Sequence, residues 1–128
     1  MFSTYNTNFV YSDHYLEIGT ELDTDYVYGF GERFEEGFRK KDGKWTIFNI
    51  DRGLNIDRGQ GLQTYGYYPF YLLKERNQLF HINYFRSSNG LDVIKESKSG
   101  KQYLTYKVIG GIIDFRFFLG EQSPETTV

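Results

Sequence analysis

Apolar and polar residues alternate along most of this chain. Between positions 103 and 109, Leu104, Tyr106 and Val108 share one face, while Thr105 and Lys107 share the other. This is the period of a half-buried strand, and the first set is expected to face a core. Residues 78–85 put Phe80, Ile82 and Tyr84 on one face and Leu79, His81, Asn83 and Phe85 on the other. Ile113, Phe115, Phe117 and Leu119 form the expected inward face of a last strand, opposite Asp114 and Arg116. Tyr26, Tyr28 and Phe30 recur at period two and predict a further strand. Apolar pieces at 9–11 and 15–18 flank Ser12, Asp13 and His14, which reads as strand, turn, strand. Residues 45–50, 70–73 and 91–94 complete a set of about nine short strands.

The intervening stretches read as turns and loops. Residues 33–44 and 95–101 are charged and read as a surface loop and a solvated turn. Gly110 and Gly111 separate two strands and predict a hairpin or a bulge. Residues 49–60 repeat a six-residue unit, NIDRGL then NIDRGQ, too few copies for a solenoid. They read as one polar loop, punctuated by glycine, that runs to residue 64. It leads through Gly66 and Pro69 into the aromatic strand at 70–73. A loop delivered by a rigid sheet is the expected place for recognition. Ser123, Pro124 and Glu125 have the order of a helix start.

Composition supports an all-β chain. It has 128 residues, enough for one domain, with 20% aromatic residues and no Ala, the best helix former. A net charge of −2 gives no pull toward nucleic acid or anionic membrane. The absence of Cys excludes disulfides and thiolate chemistry. The first residues lack the pattern of a signal peptide, and no apolar run is long enough for a membrane span.

Candidate chemistry is thin. His14 and His81 are the only histidines, and His81 with Glu32 could formally act as acid and base. A hydrogen-bonded structural role for a lone strand histidine is the stronger reading. Asp23, Thr24 and Asp25 hint at calcium, but the rest of a calcium loop is absent. Tyr65, Tyr67 and Tyr68 could stack on sugars, although packing explains them better. Asp51 reads as a turn residue before Gly53. Arg52, Asp57 and Arg58 read as a solvated loop with weak mutual ion pairs.

An ordered set of motifs changes that picture. Residues 28–33 (YGFGER), Trp45 with Asn49 and Asp51, residues 62–72 (LQTYGYYPFYL), 86–93 (RSSNGLDV) and 105–125 resemble the N-terminal region of glycoside hydrolase family 31. This is the family of α-glucosidases, maltases and sucrase-isomaltase. The chain departs from it at Ser87, where Asn is usual, at Leu91, often Met, and at Ile82, where Gly tends to follow the histidine. The resemblance implies an all-β, antiparallel β-sandwich of galactose-mutarotase-like type, with its first strands missing ahead of Phe9. It implies a sandwich domain over residues 1–122 and the start of a lead into a catalytic (β/α)8 barrel over 123–128. The barrel carries both catalytic carboxylates, so no catalytic residue, metal or cofactor is expected here. The implied substrate is an α-glucoside or oligosaccharide, contacted by Asp51 from the sandwich loop. The alternatives are a free-standing carbohydrate-binding module or a mutarotase-like sugar epimerase.

Overall fold

A computed structural model describes residues 2–31, 38–49, 66–120 and 123. Among these the chain is all-β, with nine strands in two antiparallel sheets, and it forms a β-sandwich. The strands are β1 (Phe9–Ser12), β2 (Tyr15–Leu22), β3 (Val27–Gly29), β4 (Gly43–Ile47), β5 (Phe70–Lys74), β6 (Phe80–Phe85), β7 (Leu91–Lys98), β8 (Lys101–Val108) and β9 (Phe115–Leu119). One sheet has the order β1-β2-β8-β7-β4 and the other β3-β5-β6-β9.

The alternation in β8 does what its pattern demands. Leu104, Tyr106 and Val108 are buried, each contributing roughly 1.5–3 kcal/mol through apolar burial. Their cross-strand neighbours Ile18 and Leu16 on β2, and Val93 and Leu91 on β7, extend the same buried face. Trp45 and Ile47 on β4 complete it. The second sheet answers with Val27, Tyr71, Leu73 and Phe85. Aromatic rings knit the two layers together. Phe30 lies 5.6 Å from Trp45 and 5.7 Å from Tyr71, and Tyr106 lies 5.3 Å from both Phe85 and Phe115.

Several expectations fail for identifiable reasons. The glycine pair at 110 and 111 does not join paired strands. β8 and β9 lie in different sheets, and the left-handed backbone there (φ 67° and 97°) carries the chain from one layer to the other. Strand β3 is only three residues long and buries Val27, not the tyrosines beside it. Phe30 reaches the core because its backbone turns left-handed (φ 53°), which breaks the period of two. Lys95 is not in a solvated turn. It continues the inward face of Leu91 and Val93 on β7 and is 2% exposed. The expected inward residues of β9 are largely uncovered, with Phe117 47% and Leu119 83% exposed. β9 is an edge strand, and the facing sheet offers little to pack against it.

Candidate functional site

Asp51, the expected substrate contact, lies outside the described residues, as do Arg52, Asp57, Arg58, Glu32, Tyr65 and all of residues 123–128 except Ser123. The residues flanking that loop are described, and they converge on one end of the sandwich. On one side β4 ends at Ile47, paired with Leu91. Phe48 follows and lies over Gly90 so closely that a Cβ there would sit 2.8 Å from its ring. On the other side Tyr67 donates its hydroxyl to the Asn89 carbonyl at 2.7 Å, and Pro69 is buried ahead of β5. Burial raises the Tyr67 phenol above its ordinary pKa, so it stays a donor at neutral pH.

Asn89 links this turn to the glycine crossing. Its side-chain amide donates to the Ile109 carbonyl at 3.0 Å, and its own N–H is received by Ser87 Oγ at 3.2 Å. Ile109 N donates to the Gly90 carbonyl at 3.0 Å. A side chain on Gly111 would meet the Asn89 amide at 2.6 Å. Gly110 packs against the backbone of Asp13 and His14, so the first hairpin joins the same end. Three of the sequence motifs, around Tyr67, Asn89 and Gly110, are therefore parts of one hydrogen-bonded platform. Ser87 takes part through its hydroxyl. Aligned donors with few free rotamers make such a platform rigid.

The remaining candidates have structural partners. His81 points inward and its Nδ1 lies 3.0 Å from a Glu75 carboxylate oxygen. Burial lowers the His81 pKa, while the Glu75 charge partly opposes that shift. A neutral imidazole donating from Nδ1 to the carboxylate follows, and this is the hydrogen-bonded role expected of a lone strand histidine. Asp23 and Asp25 meet Arg76 and Arg39, with Arg39 Nη2 2.9 Å from Asp25 Oδ2. Thr24 donates to the Lys74 carbonyl at 2.6 Å. The Asp23 and Thr24 contacts tie the loop ahead of β3 to the end of β5, and the Asp25–Arg39 pair ties it to the segment ahead of β4. Among the described residues no group of three or more acidic or histidine side chains could hold a metal. Tyr68 is exposed beside Gly66.

Two polar clusters escaped the sequence reading. Lys95 Nζ meets Asp42 Oδ1 at 3.1 Å and Gln102 Oε1 at 3.0 Å, and Ser97 bonds both partners. Its signal was the parity of Leu91, Val93 and Lys95, masked by the charged run that follows. The second cluster is Glu17, which accepts from Tyr15 Oη and, at 2.9 Å, from Asn8 Nδ2. The Tyr15 bond, then the Asn8 bond, hold its carboxyl below the usual range, and the same bond pushes Tyr15 up to about 12. Both clusters are stitches between strands.

No family model matches the chain. Among known proteins it is 39% identical over 129 residues to a lysosomal acid α-glucosidase of Tetrahymena pyriformis, a match covering all of this chain and 14% of that protein. It is 37% identical to an α-glucosidase of Hordeum vulgare over 87% of this chain and 12% of that protein. It is 34% identical to the intestinal sucrase-isomaltase of Homo sapiens over 91% of this chain and 6% of that protein. The chain thus spans a small part of the length of each relative. No helix among the described residues is long and apolar enough to cross a membrane. The β-sandwich and these matches agree with the motifs at Tyr67, Asn89 and Gly110, and the chain matches one portion of the α-glucosidases of glycoside hydrolase family 31.

Proposed function

We propose that this chain is the non-catalytic N-terminal sandwich of a family 31 α-glucosidase, with residues 1–122 as the sandwich domain, of galactose-mutarotase-like type, and 123–128 leading toward a catalytic (β/α)8 barrel. In this reading Asp51 contacts an α-glucoside held by that barrel. A carboxylate suits the role because it accepts hydrogen bonds from sugar hydroxyls. The observation that supports it is the platform. Phe48 and Tyr67, on the two sides of residue 51, both rest on the turn at Asn89 and Gly90.

The test uses the full-length protein in which this segment occurs. Asp51→Asn is expected to raise KM for maltose with a much smaller change in kcat, since the chemistry belongs to the barrel. An unchanged KM would reject the contact. The isolated 128-residue chain is expected to release no glucose from maltose, because a retaining glycosidase needs two carboxyls about 5–5.5 Å apart across the scissile bond. Glucose release by the isolated chain would overturn the non-catalytic reading.

A further inference from the structure

The core between the two sheets is not wholly apolar. On the inner face of β6, Asn83 stands between His81 and Phe85 and is fully buried. Its Nδ2 donates to Tyr71 Oη on β5 at 3.3 Å. Its Oδ1 is buried and has no hydrogen-bond partner among the described residues. The same holds for Tyr106 Oη, which comes from β8 in the other layer. Turning the Asn83 amide over would give Oδ1 the Tyr71 hydroxyl and leave Nδ2 without a partner instead. The deficit therefore survives either orientation.

These groups share one region of the core. Asn83 is the cross-strand partner of Tyr71 and the inward neighbour of Phe85. The Tyr106 ring lies 5.3 Å from Phe85. Its phenol is near enough to that of Tyr71 for the two to oppose each other's ionisation, after burial, which is the larger effect. Burial holds both phenols well above their ordinary pKa, so both remain O–H donors. A buried hydroxyl and a buried amide oxygen left without partners would each lower the folding equilibrium constant about fivefold or more. Nearly all such atoms in native proteins find a partner, either in the protein or in water.

We infer that one ordered water molecule sits between the sheets, accepting from Tyr106 Oη and donating to Asn83 Oδ1, with Tyr71 Oη as its third partner. Water fits because these three side chains are neutral and offer both donors and acceptors, while a charged ligand would find no counterion among them. Three polar partners are the usual complement of a buried water. The bridge joins β5 and β6 to β8. It fixes how the two layers sit on one another, a constraint that apolar packing alone does not supply. The inference does not depend on Asp51 or on glycosidase activity.

The test is a crystal structure of the chain at a resolution that shows ordered water, read together with urea unfolding of Tyr106→Phe. Density for one water within about 2.7–3.2 Å of both Asn83 Oδ1 and Tyr106 Oη is expected. Tyr106 Oη bonded directly to Asn83, or both atoms without a partner and nothing between them, would overturn the inference. Tyr106→Phe removes one hydroxyl and keeps the ring against Phe85 and Phe115. It is expected to lower the folding equilibrium constant about two- to tenfold, followed by the fluorescence of buried Trp45. An unchanged or raised constant would show that the hydroxyl had no partner to lose, and would overturn the inference as well.

Discussion

Glu17 shows how much one side chain can carry. Its lowered pKa means that the folded state holds the proton less tightly than the unfolded chain. The resulting stability is present above the unfolded value of roughly pH 4.3 and is lost as pH falls through the folded value. Glu17→Gln is expected to flatten the acid limb of stability below roughly pH 4.3. Urea melts from pH 3 to 6 measure this, and an unchanged slope would show that other carboxyls set the limb. Lys95 behaves differently, since its partner Asp42 is half in water. Lys95→Met keeps the buried stem and is expected to cost less than about 1 kcal/mol, because water can solvate Asp42. Lys95→Ala leaves a cavity as well and is expected to cost about 2–4 kcal/mol. Equal losses for both would mean that the charge, and not the packing, holds this corner. The parity of Leu91, Val93 and Lys95 hinted that Lys95 faces in, but its partners were not legible in the sequence. Partners such as Asp42 and Lys95 lie 53 positions apart, and short-range pattern carries no record of them.

At the scale of elements, alternation located β6 and β8, because each presents one face to the opposing layer, whereas β1, β2 and β7 were read from short apolar runs. It misjudged β9, whose inward parity is right but whose cover is missing. It could not separate a hairpin from a crossing at Gly110 and Gly111, since the same backbone freedom serves both. The fold class was legible in the pattern, as was the expectation of a polar loop ahead of β5, whereas the role proposed for Asp51 came only from the family motifs. Contacts between strands also fix where glycine is required. Gly29 has φ 134°, and a Cβ there would lie 2.5 Å from the Phe70 carbonyl oxygen and 2.8 Å from Tyr71 Cα. Gly29→Ala is expected to cost at least about 2 kcal/mol through strain and a splayed β3–β5 pair. The Trp45 fluorescence transition in urea measures it, and a shift below a few tenths of a kcal/mol would mean that the strands separate easily.

The whole molecule has two unlike outer surfaces. The five-stranded sheet turns Glu17, Lys44, Thr46, Asp92, Thr105 and Lys107 outward. The four-stranded sheet turns out Tyr28, Phe70, Leu72, Ile82, Tyr84 and Phe118, all partly or fully exposed. An apolar face of this kind marks an interaction surface. The native chain is therefore expected to bind the dye ANS, and Ile82→Lys combined with Phe118→Lys to weaken that binding while the fold persists. Dye binding unchanged by both substitutions would place the apolar site elsewhere. One last consequence comes from the pairing of β2 with β8. Leu22 is made early, yet its partner Gln102 comes 80 positions later. At a synthesis rate of about 5–20 residues per second, the first hairpin waits roughly 4–16 s for its neighbour to leave the ribosome. During that interval Leu16, Ile18 and Leu22 are open to solvent, and a chaperone that shields short apolar strands on the nascent chain has its work there.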